Sequence, residues 1–411
     1  MSRIIAAGLE NPAYPKDYND IMIIKNILPA PEPELNSKCR VIPVSSPLFA
    51  GNELKYLTHC IKSGWVSCLG GYVTKFEEKF AAYCGVKYGV SVSSGTTALH
   101  LALAALGIGK GDEVILPAFT MVSTANAVAY QGARPVLVDS QRDTFNLDPD
   151  KIEEKITKRT KAIIAVHIYG HPADMDRIMK IAHGHKLSVV EDAAEAHGAE
   201  YKGRKAGSIG DIGVFSFYGN KIITTGEGGM LVSNNKRLKE RAEYLRDLAF
   251  SAERHFWHKE LGFNYRMSNL QSAVGLAQLE RIEDLIAIKR GNAKLYCRYL
   301  RDVPGITLPK EAASARSVYW MFWVLLEDDF GVSKDELRKR LARRGIETRN
   351  FFIPMHLQPV YAKKCKGRFP ISEELCRKGL YLPSGFNLKE KDIRFIAQSI
   401  KEVQQGGVKS Y

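Results

Sequence analysis

A chain of 411 residues, 45% hydrophobic and 25% charged, is long enough for one large and one small domain and has the composition of an ordinary globular protein. No stretch approaches the roughly 20 consecutive apolar residues of a membrane span, and the N-terminus lacks a secretory signal pattern, so we expect a soluble, cytoplasmic protein. The formal net charge of +14 favours an anionic partner, but it does not distinguish nucleic acid, a membrane surface and a phosphorylated small ligand.

The seven cysteines give no metal-binding or disulfide pattern. They are odd in number and scattered, and no two form a CxxC pair of the kind that binds zinc or cycles between thiol and disulfide. We therefore expect reduced, mostly structural thiols and no metal site. The cysteines are Cys39, Cys60, Cys68, Cys84, Cys297, Cys365 and Cys376.

The first 41 residues predict an irregular N-terminal extension of unknown purpose. Pro29, Pro31 and Pro33 mark a stretch that cannot continue a helix or a central strand. From Ile42 onward the pattern changes to alternating structural units, which begin with helical stretches at residues 51–63 and 73–84.

Six short apolar runs rich in Val or Ile follow these helices. Buried strands of a parallel sheet have this composition, and the helical segments between the runs supply the crossovers. The sequence thus predicts a wound α/β domain over residues 42–280. The runs lie at residues 88–92, 113–116, 135–138, 162–167, 188–191 and 213–217.

The remainder, residues 281–411, predicts a smaller domain of α+β type. A basic helix at residues 334–349 carries Leu337, Leu341 and Ile346 on a helical spacing, which indicates a surface helix with a solvated basic face. No helix-turn-helix, RNP-type or zinc-finger pattern accompanies it, so we do not expect it to bind nucleic acid. The other predicted elements are a long helical region at residues 269–299, a strand at 319–326 and a loop-rich stretch at 354–383.

Residues 93–99 directly follow the first predicted strand, and ligands of a wound α/β sheet lie beyond the carboxyl ends of its strands. They open a helix whose first turn has unpaired backbone N–H groups that can hold a phosphate. Gly95 lets the backbone approach closely, and the Thr96 and Thr97 hydroxyls add donors. A plain helix N-cap explains the segment equally well.

A carboxylate ends the strand at residues 188–191. Asp192 lies there among small residues that leave room for a flat ligand. An aspartate beside a pyridine nitrogen keeps that nitrogen protonated, which makes the ring an electron sink. Asp192 could instead only cap a helix.

A lysine follows the last predicted strand of the sheet. Lys221 stands among aromatic residues and glycines, a setting that can lower its pKa and free the neutral amine to attack an aldehyde. Ser216 is placed to add a phosphate contact. The glycines of this segment could also merely build a hairpin or tight turn.

A fourth polar segment, residues 262–271, precedes the long helical region. Ser268 or Asn269 could begin that helix, and the polar groups could cap it and do nothing more.

Four runs of this sequence, taken together, resemble the sugar-nucleotide aminotransferases of the DegT/StrS group. They are SSGTTALHLAL, VEDAAEAHGA, GDIGVFSFYGNKIITTGEGGML and LGFNYRMSNLQSAVGLAQLERIE, in that order along the chain. The resemblance extends from about Ile42 to the late 380s. It implies the pyridoxal-phosphate-dependent aminotransferase fold (fold type I), with a mixed, mostly parallel sheet in the large domain and a smaller α+β C-terminal domain.

The resemblance also implies roles for individual residues. Lys221 matches the Schiff-base lysine and proton shuttle, and Asp192 matches the partner of the pyridine nitrogen. Gly95, Thr96 and Ser216 match phosphate ligands. Asn264 matches an asparagine that reaches the cofactor phosphate of the partner subunit, which implies a homodimer with shared active sites.

Two positions depart from the commoner family pattern. Glu195 stands where many members have Gln, although glutamate also occurs in the perosamine-synthase-like branch. Met121 stands where many members place an aromatic ring over the pyridine; its thioether could cover the ring, or it could be an ordinary core methionine.

The resemblance implies the transfer of an amino group from L-glutamate to the C4 keto carbon of a nucleotide-linked 4-keto-6-deoxyhexose, and it favours GDP-4-keto-6-deoxy-D-mannose. In the run RNFFIPMHLQPVY, His356 is a candidate sugar contact and Arg349 a candidate diphosphate contact, although a structural histidine fits there too.

The alternatives are a dTDP- or UDP-linked keto sugar as substrate and a cofactor-dependent sugar dehydratase as enzyme. The dehydratases of this scaffold have histidine at the position of Lys221. A non-catalytic protein with this fold is disfavoured by Asp192, Ser216 and Lys221.

Overall fold

The structure, a computed structural model, describes residues 41–251, 253–254 and 256–407. The predicted N-terminal extension lies outside these residues except for Val41, and so does Cys39. The six cysteines within them form no disulfide. No helix of the described part is long and apolar enough to cross a membrane.

The helices are α1 Glu53–Ser63, α2 Gly71–Cys84, α3 Gly95–Ala105, α4 Val122–Tyr130, α5 Met175–His185, α6 Lys236–Arg246, α7 Asn269–Leu279, α8 Ile282–Leu300, α9 Lys334–Arg343, α10 Pro359–Ala362, α11 Pro370–Lys378 and α12 Glu390–Gly407. The strands are β1 Tyr88–Val92, β2 Glu113–Pro117, β3 Arg134–Val138, β4 Thr160–Val166, β5 Ser188–Asp192, β6 Glu200–Tyr201, β7 Arg204–Lys205, β8 Ile212–Ser216, β9 Gly229–Ser233, β10 Ile306–Thr307, β11 Ala315–Arg316, β12 Phe322–Leu326, β13 Arg349–Asn350 and β14 Gly379–Leu382.

A seven-stranded sheet in the order β1-β9-β8-β5-β4-β2-β3 organises the fold. Strand β9 runs antiparallel to both of its neighbours, β1 and β8, while β8, β5, β4, β2 and β3 pair in parallel. The predicted mixed, mostly parallel sheet is therefore confirmed. All six apolar runs are strands, and β2, β8 and β9 are buried along their whole length, as expected where helices cover both faces.

Aromatic side chains pack the helical layer onto one face of this sheet. Phe80 of α2 meets Phe215 of β8 with ring centroids 4.8 Å apart, and Phe76 meets Phe217 at 5.0 Å. Gly275 of α7 has no room for a Cβ, which would lie 2.6 Å from the Phe76 ring. On the other face, α5 covers the sheet with buried apolar side chains. Because helices cover both faces of the sheet, the strand ends that carry the polar residues are held in fixed positions.

The C-terminal part has its own hydrophobic core. The antiparallel sheet β10-β12-β14-β13 packs against α8, α9 and α12, and Tyr296 of α8 stacks on Phe322 of β12 at 4.6 Å. Leu337 and Leu341 of the basic helix are buried in this core. The predicted domain boundary near residue 280 stays a prediction.

Three predicted elements from residue 269 onward differ in the structure. The single helical region at residues 269–299 is two helices, because the chain bends at Glu280 and Arg281 between α7 and α8. The loop-rich stretch at residues 354–383 contains α11 and β14, whose apolar residues contribute to the cores. The basic helix ends at Arg343, before the turn at Gly345 with φ +74°.

Candidate active site

A cavity of about 310 Å³ opens at the carboxyl edge of the large sheet. Its walls come from the segments that follow β1, β2, β5 and β8, as the topology of a wound sheet predicts. Seven of the predicted site residues line it together. The lining residues are Ser94, Gly95, Thr96, Leu99, Thr120, Met121, Ser123, Val166, Ile168, Asp192, Ala194, Glu195, Ser216, Tyr218, Asn220, Lys221, Glu227, Trp320 and Phe352.

The N-terminus of α3 forms one end of this cavity. Ser94 is the N-cap, and it forms a capping box with Thr97, whose N–H donates to the Ser94 hydroxyl at 3.1 Å. The Thr97 hydroxyl donates to the Ser94 carbonyl oxygen and accepts from the Ser94 N–H, so it is used inside the cap rather than toward the cavity. The first-turn N–H groups of Gly95 and Thr96 have no partner within the helix.

Ser216, at the end of β8, faces this helix terminus across a very short gap. A Cβ on Gly95 would lie 2.6 Å from the Ser216 Cβ and 3.1 Å from its Oγ. Glycine is therefore required at this position for the helix start and the serine to meet. Backbone N–H groups, a hydroxyl and the positive end of a helix together make a site that suits a phosphate.

Asp192 provides a buried carboxylate at the end of β5. Its Oδ2 accepts a hydrogen bond from the Thr124 hydroxyl at 2.8 Å, and its Oδ1 accepts one from the Ala194 N–H at 3.3 Å. Burial raises the pKa of Asp192, and the Thr124 hydroxyl opposes that shift. The carboxylate therefore gains from any cationic N–H group brought into the cavity.

Lys221 projects into the cavity between Glu195 and Trp320. Its Nζ lies 3.9 Å from Oε1 of Glu195 and 4.1 Å from the centroid of the Trp320 ring. The indole Nε1–H of Trp320 donates to the Asn220 carbonyl oxygen at 2.7 Å, which ties the ring to the backbone beside Lys221. The amine is thus held in a fixed and mostly water-excluded place.

Burial shifts both partners of this pair toward their neutral forms. It lowers the pKa of Lys221, against the opposing effect of Glu195 and Asp192. It raises the pKa of Glu195 to about 7, while Lys221 and the Tyr169 N–H favour the ionised carboxylate. A lysine with a lowered pKa supplies more neutral amine near neutral pH, as a nucleophile and a proton carrier require.

Glu191 stabilises the backbone on the far side of β5 from Asp192. His167 accepts the Ala173 N–H on Nδ1, so its Nε2 carries the proton and donates to Glu191 at 2.9 Å. The other Glu191 oxygen accepts the N–H groups of Ile209 and Gly210 at 2.6 Å each. Burial alone would raise the pKa of Glu191, but these hydrogen bonds lower it.

Three predicted site residues do not line the cavity of their own chain. Asn264 is exposed, and its Oδ1 accepts from Arg266 at 3.1 Å. Arg349 is exposed in β13 and contacts Glu347 at 3.3 Å. His356 pairs with Glu373 at 3.0 Å, with a side chain only 7% exposed. Their roles toward substrate or partner subunit stay predictions.

The sequence interpretation missed several lining residues. Trp320 and Phe352 come from the C-terminal part, 99 and 131 residues beyond Lys221, and no motif connects them to the strand ends. Thr124 of α4 does not line the cavity, but its hydroxyl orients Asp192, and no motif indicated this contact. Phe352 lies within the run RNFFIPMHLQPVY, three residues after Arg349, and that run was the one available signal for it.

Comparison with known proteins places this geometry in a family. The sequence profile of the DegT/DnrJ/EryC1/StrS aminotransferase family matches residues 48–401, well over half of the chain. The chain belongs to this family. The family matches beyond the late 380s, where the predicted resemblance ended.

Several curated relatives of this chain are named GDP-perosamine synthase. The one from Caulobacter vibrioides is 46% identical and the one from Escherichia coli O157:H7 is 44% identical, each over 88% of this chain and 98% of the relative. Among solved structures, Streptomyces venezuelae DesV in complex with a ketimine intermediate has a TM-score of 0.81 and 38% identity, covering 86% of this chain and 94% of DesV. The predicted fold, the aminotransferase class and the likeness to perosamine synthases are confirmed.

Proposed function

We propose that this aminotransferase uses pyridoxal 5'-phosphate to transfer the amino group of L-glutamate to C4 of GDP-4-keto-6-deoxy-D-mannose, giving GDP-perosamine and 2-oxoglutarate. One observation carries the proposal. A single cavity gathers a buried lysine amine, a buried carboxylate and a helix N-terminus with an adjoining serine, from three separate stretches of sequence.

The residues of the cavity fit this cofactor at each of its functional groups. The start of α3 with Ser216 suits the phosphate, because Gly95 lets that helix terminus and the serine meet. Asp192 is buried with a raised pKa, so a protonated pyridine nitrogen would satisfy its charge. Met121, 49% exposed at the start of α4, is a polarizable side chain that could lie over the ring.

When bound, the cofactor supplies an aldehyde that accepts the amine and a ring that withdraws electrons from the carbon losing its proton. Lys221 anchors the cofactor and then moves a proton to and from the reacting carbon. Its lowered pKa keeps enough neutral amine for this work. The Trp320 ring 4.1 Å away holds the amine in place and keeps water from that side.

Glu195 contributes a titratable group where many relatives have an amide. Its Oε2 is held by the Tyr169 N–H at 2.8 Å, so its Oε1 remains directed to Lys221. A carboxyl with a pKa near 7 can donate or accept a proton at working pH. We infer that Glu195 contacts the cofactor ring region and adjusts the proton balance of Lys221.

The active unit in this proposal is a homodimer with shared sites. Asn264 is exposed on a segment that, by the resemblance to the family, would lie at the subunit interface, and no residue of that segment lines the cavity of its own chain. Asn264 of each subunit would complete the phosphate site of its partner.

The substrate assignment is supported by the relatives named GDP-perosamine synthase and by Glu195. A dTDP-linked sugar is the second candidate substrate. A relative from Streptomyces venezuelae that is named dTDP-3-amino-3,4,6-trideoxy-alpha-D-glucose transaminase is 39% identical over 81% of this chain. A site that hydrogen-bonds the sugar hydroxyls discriminates between such substrates, since a mismatch leaves buried polar groups unpaired.

The test compares kcat/KM for GDP-, dTDP- and UDP-linked 4-keto-6-deoxyhexoses with L-glutamate as donor, the products being identified by mass and NMR. We expect a preference for the GDP-linked mannose-derived ketone of at least about a hundredfold, the size of discrimination that unpaired hydrogen-bonding groups give. A preference for a dTDP- or UDP-linked ketone would overturn the substrate and leave the aminotransferase activity. Loss of the sugar hydroxyl without amine incorporation would indicate a dehydratase.

A further inference from the structure

A second cavity, of about 400 Å³, lies at the β3 edge of the large sheet and shares no lining residue with the active-site cavity. It lies between β3, residues 151–155 and the segment that joins α10 to α11. Six cationic side chains line it against two carboxylates, Asp139 and Glu154. The cations are Arg134, Lys151, Lys155, Lys364, Lys366 and Arg368.

Both carboxylates of the cavity already have partners. Asp139 accepts hydrogen bonds from the Ser372 hydroxyl at 2.7 Å and from the N–H groups of Ser372 and Ile371 at 3.0 and 3.2 Å. Glu154 pairs with Lys155 at 3.0 Å. Neither is available to balance the remaining cations of the cavity.

The cations contributed by the segment that joins α10 to α11 have no carboxylate partner within the described residues. Lys364, Lys366 and Arg368 are exposed, and within the described residues none of them lies within ion-pair distance of a carboxylate. On the opposite wall, Lys151 lies 3.7 Å from Asp139 and Arg134 lies 2.8 Å from Glu113. Like charges on two walls of one cavity repel each other until an anion lies between them.

We propose that this basic cavity binds a small anion with two or more linked phosphates. Its volume falls within the range of small-molecule sites, roughly 300–1,000 Å³. Charges on linked phosphates can meet cations of both walls together, and Arg134 and Arg368 can each bind phosphate oxygens through two N–H groups. Inorganic pyrophosphate and the diphosphate of a free nucleotide share this chemistry. The site is independent of the proposed function.

A lysine footprint tests the site directly. The full-length, cofactor-loaded enzyme is treated with an amine-acetylating reagent, with and without millimolar pyrophosphate, and the acetylation of each lysine is read by mass spectrometry. We expect pyrophosphate to protect Lys364 and Lys366. Exposed Lys339 of α9 and Lys391 of α12, which lie outside the cavity, should be acetylated equally in both samples. Equal acetylation of all four lysines would overturn the proposal.

Parallel samples with GDP, with monophosphate and with short duplex DNA distinguish the sources of the anion. Protection by both pyrophosphate and GDP, and less by monophosphate, supports a site for linked phosphates. Protection by pyrophosphate alone supports the inorganic anion. Protection by DNA at concentrations where pyrophosphate gives none would overturn the small-anion site in favour of a polymer-binding surface.

Charge-removal variants give an independent measurement. The variant Lys364→Gln/Lys366→Gln/Arg368→Gln should bind pyrophosphate at least about tenfold more weakly in calorimetry, because it removes one wall of cations. The matched control Lys339→Gln/Arg343→Gln/Lys391→Gln removes the same charge from exposed positions on α9 and α12 and should bind within about twofold of the parent, since only long-range, salt-screened charge is lost. Equal weakening in both variants would show non-specific attraction and overturn the site.

Discussion

Gly95 has no side chain, and this lets the start of α3 and Ser216 approach each other at the proposed phosphate site. Gly95→Ala places a Cβ 2.6 Å from the Ser216 Cβ, so α3 or the end of β8 has to move. Overpacking of this kind costs about 1–3 kcal/mol, and we expect cofactor affinity to fall roughly tenfold to a hundredfold. Titration of the cofactor-free protein, followed by absorbance, measures the change.

The control for this variant is Gly184→Ala in α5, where an added Cβ meets no atom within 4 Å. Alanine in a helix is favoured over glycine by up to about 1 kcal/mol, so this protein should be as stable as the parent or more stable, with unchanged cofactor affinity. Unchanged affinity in Gly95→Ala would contradict the phosphate assignment.

Glu195 gives the active site a measurable pH dependence of stability. Its pKa rises from 4.5 in the unfolded chain to about 7 in the folded protein, because the carboxyl is buried. Between these values the folded state holds the proton and the unfolded state has lost it, so this group's contribution to stability falls as pH rises. Above pH 7 the loss is complete, on the order of 3 kcal/mol.

The variant Glu195→Gln removes this titration and restores the residue common in the family. Urea unfolding of the cofactor-free proteins from pH 4.5 to 8 should show the variant gaining stability relative to the parent as pH rises. Glu154→Gln, whose side chain is 62% exposed, is the control and should show no such trend. A constant difference between Glu195→Gln and the parent across this range would contradict the raised pKa.

Among the elements, α11 depends on a residue from a distant strand. Its N-cap position, Phe369, makes no side-chain cap, and Asp139 after β3 instead accepts the N–H groups of Ile371 and Ser372. Asp139→Ala leaves these donors unpaired, and we expect a loss of about 2–4 kcal/mol. Asp143→Ala, at a side chain 78% exposed, should change stability by less than about 0.5 kcal/mol. Thermal or urea unfolding checks both, and equal effects would show that the cap is unimportant.

This cap also shows why sequence patterns predicted some elements and not others. The strands that carry the site could be predicted because each is a buried apolar run followed by polar residues, as at Asp192. Helix α11 could not, because its stabilising partner lies more than 200 residues away. Strand β9 was missed because its neighbouring glycines favoured a turn, although they let the chain reverse into the sheet.

The active-site residues also divide into those that a local sequence pattern predicts and those that depend on distant parts of the chain. Lys221, Asp192, Ser216 and Gly95 lie in continuous motifs at strand ends, so their sequence context indicated their chemistry. Trp320 reaches Lys221 only through the packing of the C-terminal part onto the large sheet, which no local pattern encodes.

At the scale of the whole molecule, the proposed homodimer predicts complementation between damaged subunits. Asn264→Ala and Lys221→Ala proteins should each have little activity alone. Mixed under conditions that allow subunit exchange, they should recover up to about a quarter of the parent activity, because a heterodimer carries one undamaged site of its two. A steady-state assay measures the recovery. Absence of recovery in subunits shown to exchange would contradict sharing of the site.

The most direct test of the central claim is to identify the lysine that binds the cofactor. The protein loaded with pyridoxal 5'-phosphate is reduced with borohydride, digested, and mapped by mass spectrometry. We predict that the cofactor is fixed on Lys221, whose amine lies in the cavity with a lowered pKa. Fixation on any other lysine, or none, would contradict the account.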